Sequence, residues 1–175
     1  YTSTDSGVNW TERTAAGSRT WSGIASSSDG TKLVAMVSTG YIYTSTDSGV
    51  NWTERTAAGS GAWSGIASSA DGYNLAAVAA GPGYIYTSTD SGVNWTERTD
   101  AGSKGWSGIA ASSDGAKLVA MVSTGYIYTA GWTKTTYGTA GYTTSRFNLN
   151  SIDIQYIGSG TFKTIGSLSD GLVLY

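Results

Sequence analysis

The sequence predicts an all-β protein, a β-propeller of four blades with four antiparallel strands in each, and three observations predict it. The string Tyr-Thr-Ser-Thr-Asp-Ser-Gly-Val-Asn-Trp-Thr-Glu-Arg-Thr begins at Tyr1, Tyr43 and Tyr86, a period of about 42 residues that falls within the range of propeller blades. Each copy is followed by Trp-Ser-Gly-Ile-Ala at Trp21, Trp63 and Trp106, then Asp-Gly at Asp29, Asp71 and Asp114, then an apolar run and Gly-Tyr-Ile-Tyr. Finally, the 175 residues include 25 Gly, 12 Tyr and 7 Trp but one Pro. Tyr, Trp, Thr and Val suit pleated surfaces while Gly and Ser punctuate them, so the composition favours strands and tight turns.

Each unit divides into four strands, A to D. In the unit beginning at Trp21, strand A covers residues 22–27, and Asp29-Gly30 reads as a hairpin turn because glycine accepts positive φ. Strand B, 33–37, is apolar on both faces and is expected between neighbouring sheets. Strand C spans 41–45, and a turn over 47–49 leads to strand D, 51–55. On strand D, Trp52 and Glu54 face one way and Thr53 and Arg55 the other. Charge concentrates on that strand, which fits the outer rim, where it blocks edge-to-edge pairing.

The tail extends the same plan as a divergent fourth repeat over about 129–175. Residues 154–160 keep the spacing of 24–30 and read as a fourth strand A, with 161–167 as strand B and 172–175 as strand C. The segment 8–14 is then an orphan strand D, and its pairing with the C-terminal blade would close the ring and remove a long exposed edge. On this reading residues 1–175 form a single domain, a size that can bury its own core. The chain opens on Tyr1, which reads as the start of a mature or excised segment.

Composition narrows the function classes. A net charge of -2 and a pI near 4.9 supply no basic surface for a phosphate backbone, so nucleic acid is not an expected partner. Cysteine and histidine are absent, which removes disulfides, thiolate metal sites and the commonest general base. No cofactor is expected, and no apolar run approaches the ~20 residues of a membrane helix.

Ser3-x-Asp5-x-Gly7-x-x-Trp10 recurs as Ser45, Asp47, Gly49 and Trp52, and again as Ser88, Asp90, Gly92 and Trp95. On these residues the chain resembles the Asp-box (BNR) repeat family, which includes sialidase-like propellers. The resemblance covers residues 1–128; in the fourth repeat Tyr128-Thr129-Ala130-Gly131-Trp132 shortens the hairpin and carries no box. It implies that the box is a folding device in the turn between strands C and D. Residue chemistry agrees: the carboxylate accepts N–H bonds within its own turn, glycine takes positive φ, and tryptophan wedges toward the core. Asp5-Ser6-Gly7-Val8-Asn9 lacks the spacing and closing glutamate of a calcium loop, so no metal is expected.

Catalytic members of that family use unique residues, including an arginine triad. Here Glu12, Glu54 and Glu97 repeat at one site, as do Arg13, Arg55 and Arg98, and only Arg19 and Arg146 fall outside the pattern. A residue copied into every blade serves the blade, so a non-catalytic protein is expected. The loops joining D to A and B to C share one face, opposite the Asp boxes. The D-to-A loops vary mainly at Arg19, Gly61 and Lys104, and a longer one holds Tyr142 and Arg146. With Trp21, Trp63 and Trp106 these residues are the candidate contacts for a glycan or a surface protein. Packing between blades is the competing reading for the three tryptophans, and ordinary solvated charge for Arg19 and Lys104.

An extracellular or surface-displayed binding module follows, with two alternatives. One is a self-assembling repeat protein, in which strand D of one chain completes the blade of another. The other is a sialidase-like glycoside hydrolase. Asn9, Asn51 and Asn94 also begin Asn-Trp-Thr acceptor triplets, which the repeat itself would generate.

Overall fold

The structure, a computed structural model, describes residues 1–131 with their side chains and the backbone of 154–158 and 161–164. It separates into two compact units, Tyr1–Lys134 and Thr135–Tyr175. Every described element is a strand.

In the first unit the sheets follow the repeat. β1 (Trp21–Ser26), β2 (Leu33–Val37), β3 (Ile42–Ser45) and β4 (Thr53–Arg55) form an antiparallel sheet in that order. β5 (Trp63–Ser68), β6 (Leu75–Ala79), β7 (Ile85–Ser88) and β8 (Thr96–Arg98) form a second in the same order. β9 (Trp106–Ala111), β10 (Leu118–Val122) and β11 (Ile127–Ala130) form a third. The second unit contains β12 (Ile154–Gly158) paired antiparallel with β13 (Thr161–Thr164), where the sequence places strands A and B of a fourth repeat.

Strand B agrees with expectation to the residue, because a run apolar on both faces marks a strand covered on both sides. Strand D begins at Thr53 instead of Asn51, since both nitrogens of Asn51 are committed to the preceding turn. The first hairpin also differs. Ser26 pairs with Leu33, so six residues, 27–32, connect β1 to β2 in place of a tight Asp-Gly turn, although Gly30 does take positive φ (73°).

The N-terminal segment carries more than an orphan strand D. Thr2 and Thr11 exchange two backbone hydrogen bonds of 2.8 Å, so the start of the chain holds the end of a strand C beside one paired residue of strand D. Arg13 Nε donates to Thr2 Oγ1 at 3.0 Å, as Arg55 does to Thr44 and Arg98 to Thr87. The completion of a last blade by this segment, and strand C at 172–175, lie outside the described residues.

The core lies between sheets. Val34, Met36 and Ile42 of the first sheet pack on Trp63, Leu75 and Ala77 of the second, and Val78 of the second packs with Trp106 and Ala120 of the third. Close approach of successive strands A explains their small residues. A Cβ on Gly65 would stand 2.9 Å from a methyl of Val78 and 3.0 Å from the Cα of Gly108. The six-residue loops join in series across the three sheets: Ser28 N–H donates to Ala70 O and Ala70 N–H to Ser113 O, both at 2.7 Å.

Candidate functional site

Two sets of turns bracket the sheets, and their chemistry differs. At one end lie the Asp boxes. Ser45 Oγ donates to Asp47 Oδ1 at 2.8 Å and accepts from Gly49 N–H at 2.9 Å. Asp47 accepts Asn51 N–H at 2.9 Å and Asn51 Nδ2–H at 2.7 Å, and Trp52 Nε1–H donates to Gly49 O at 3.1 Å. Ser3, Asp5, Gly7 and Trp10 repeat the arrangement, as do Ser88, Asp90, Gly92 and Trp95. The backbone turns left-handed at two successive residues, Ser48 (φ 57°) and Gly49 (φ 81°), a conformation that brings N–H groups to one side. The tryptophans reach inward to different extents: Trp95 packs against the core, Trp52 tilts against Trp21, and Trp10 is exposed.

Backbone N–H donation from Asn9 and from Asn94 is the main reason the Asp5 and Asp90 carboxyls sit at about 2, well below the ordinary 3.8. Among the described residues no group of acidic side chains is placed to hold a metal ion.

The first-to-second-strand loops form a further turn of this kind that sequence reasoning missed. Ser27 Oγ donates to Asp29 at 2.6 Å and Ser69 Oγ to Asp71 at 2.5 Å, while Thr31 and Tyr73 donate their N–H groups to the same carboxylates at 3.0 Å. The signal was a serine two places before each Asp-Gly: Ser27, Ser69 and Ser112.

The opposite end carries the loop face, and here the expected neighbourhood holds: Gly40 of a B-to-C loop pairs with Gly61 of a D-to-A loop, and Gly83 with Lys104. Arg19 lies with its guanidinium 4.7 Å from the centre of the Tyr43 ring, anchored by a 2.9 Å bond from Nε to Ala16 O. Lys104 places Nζ 5.2 Å from the centre of the Tyr128 ring. Two cations at equivalent repeat positions thus rest on equivalent tyrosines, with Gly61 between them in sequence.

The tryptophans divide. Trp63 and Trp106 are 3% and 1% exposed and pack between sheets, so neither offers a ring face to a ligand, which corrects their place among the candidate contacts. Each stands edge-on to a tyrosine of its own sheet at 5.1 Å. Trp21 is 38% exposed and borders a cleft of about 310 Å³ with Tyr1, Arg13 and Arg19. Tyr142 and Arg146 lie outside the described residues.

The repeated charges are engaged within their sheets. The Tyr43 hydroxyl donates to Glu54 and that of Tyr86 to Glu97, the latter at 2.6 Å. Burial and the neighbouring Glu97 push the Tyr86 hydroxyl up to about 12, so it remains a donor at neutral pH.

No family model and no curated protein matches this chain. Solved structures do. YCF48 bound to D1 peptide aligns with a TM-score of 0.54 and 16% identity, covering 65% of this chain and 36% of that one. The GH74 enzyme of Niastella koreensis aligns with a TM-score of 0.52 and 27% identity, covering 63% and 16% respectively. The Cps50 (Swd1) β-propeller domain of Myceliophteria thermophila gives 0.52 and 17%, covering 71% and 41%. The chain therefore spans less than half the length of each of these proteins. Together with the repeated antiparallel sheets and their stacked faces, these likenesses make the fold that of a β-propeller with blade-like sheets.

Proposed function

We propose that this protein is a non-catalytic binding module of the Asp-box type, extracellular or displayed on a cell surface, whose loop face receives a glycan or a protein segment. The observation that carries the proposal is the placement of Arg19 and Lys104. These two cations occupy one equivalent repeat position, where the second repeat has Gly61, and sit over tyrosine rings on the face away from the structural boxes. Guanidinium and ammonium groups beside aromatic rings suit a ligand with acceptor oxygens and a flat apolar side. Engagement of Glu54, Glu97, Arg55 and Arg98 within their own sheets supports a non-catalytic reading. Among the structural neighbours is a propeller bound to a peptide, which supports a protein segment as one class of ligand.

The test is a glycan array and a peptide array probed with the purified protein, then repeated with Arg19→Ala and Lys104→Ala. Each substitution should weaken a positive interaction by about tenfold or more, the worth of one charge-assisted hydrogen bond. Turnover of a sialoside or another glycoside would overturn the non-catalytic part. Equal binding by both variants would remove the loop face as the site.

A further inference from the structure

The interface between successive sheets is built twice in this molecule, and both of its halves appear again at the ends of the first unit without a partner among the described residues. One half is supplied by the earlier sheet: Met36, Ile42 and the Gly40 carbonyl, which accepts Trp63 Nε1–H at 2.9 Å. The other half is supplied by the later sheet: Trp63, with Ile66 beside it. Backbone pairing of Gly40 with Gly61, the Ser28-to-Ala70 hydrogen bond and a 3.3 Å bond from Ser22 Oγ to Trp63 O complete the contact. The second interface repeats the backbone pairing with Gly83 and Lys104, the loop bond from Ala70 to Ser113, and a 2.8 Å bond from Ser64 Oγ to Trp106 O, whereas the buried Trp106 Nε1–H has no hydrogen-bond partner there.

On the third sheet, Met121, Gly125 and Ile127 stand where Met36, Gly40 and Ile42 stand on the first. Met36 and Ile42 are 1% and 0% exposed, whereas Met121 and Ile127 are 50% and 72% exposed. On the first sheet, Trp21 and Ile24 correspond to Trp63 and Ile66, and they are 38% and 64% exposed.

We propose that the third sheet of one chain docks on the first sheet of a second copy through this same interface. In the docked pair Gly125 O accepts Trp21 Nε1–H, Gly125 pairs with Arg19, Ser113 N–H donates to Ser28 O, and Ser107 Oγ donates to Trp21 O. β11 takes the place of Tyr1 and Thr2 beside Thr11. The exchange preserves the chemistry, because Thr129 presents to Arg13 the hydroxyl that Thr2 presents in the separate chain. A second copy is the fitting occupant because it carries the whole set of complementary residues. The contact is head-to-tail, so repetition yields a closed ring or an open filament. Arg19 would keep its place on the loop face, as Lys104 does beside Gly83, so docking and ligand binding are compatible.

Sedimentation of the full chain across concentration tests the proposal, alongside Ile24→Asp and Ile127→Asp, each of which changes an already exposed side chain at one end. The unsubstituted chain should gain mass with concentration. Each variant alone should stay monomeric, and an equimolar mixture should form a one-to-one pair, because the two variants retain opposite intact halves. A monomer up to about 1 mM, the weak limit of specific association, would overturn the proposal and mean that the chain's own remainder covers these faces. Association that survives in both variants would overturn the interface.

Discussion

At the scale of single residues, the Asp boxes and their counterparts between the first two strands of each sheet turn acid sensitivity into a readable property. Asp5, Asp29 and Asp90 ionise at about 2 in the folded chain against an ordinary 3.8, with Asn9 N–H, Ser27 Oγ–H and Asn94 N–H respectively the largest cause. A depressed carboxyl stabilises the fold at pH values above the unfolded group's titration, and that contribution disappears as pH falls through the folded value. Stability should therefore be level above about pH 5 and fall between about pH 4 and pH 2, which thermal melts in a pH series would record. Asp47→Asn should lower the melting temperature, because it disrupts acceptance from Asn51 N–H, Asn51 Nδ2–H and Ser45 Oγ–H. Asp100→Asn is the control, since the Asp100 carboxylate accepts no hydrogen bond among the described residues. The box was legible in sequence because its partners lie within a few residues of one another. The left-handed Ser6, Ser48 and Ser91 were not, since their conformation answers to N–H groups gathered around a serine hydroxyl and not to their own side-chain preference.

At the scale of the element, identical strings acquire different environments. Trp21 and Trp63 begin the same pentapeptide, yet one is exposed and the other is sealed between sheets with its N–H on Gly40 O. Trp63→Ala should cost about 3–5 kcal/mol, the usual loss for a buried aromatic, and Trp21→Ala distinctly less; urea denaturation of both variants measures the difference. Gly65→Ala should cost about 1–3 kcal/mol by forcing strands β5 and β9 apart. Gly105→Ala, whose nearest neighbour to an added Cβ is a carbonyl oxygen 3.9 Å away, should be far milder. Periodicity located the strands to within a residue or two, because alternation and turn residues are local. It misplaced the starts of strands A and D, where a hydrogen bond from Trp21 N–H to Arg19 O and the commitment of Asn51 decide the boundary.

At the scale of the whole molecule, the series from Ser28 through Ala70 to Ser113 ties loops of three sheets together. Amide exchange at Ser28 and Ala70 should accordingly be as slow as in the strands; exchange at loop rates would show that the sheets open independently. The repeat, the all-β class, the order of strands and the position of each box can be read from the amino-acid order, because each rests on contacts between residues close in the chain. Which copies of a repeated residue are core and which are surface, and that the A-to-B loops join neighbouring sheets, emerge with the packing of the folded chain. Those outcomes depend on groups about 42 residues apart, and near-identical repeats carry no local mark of which face will meet a neighbour.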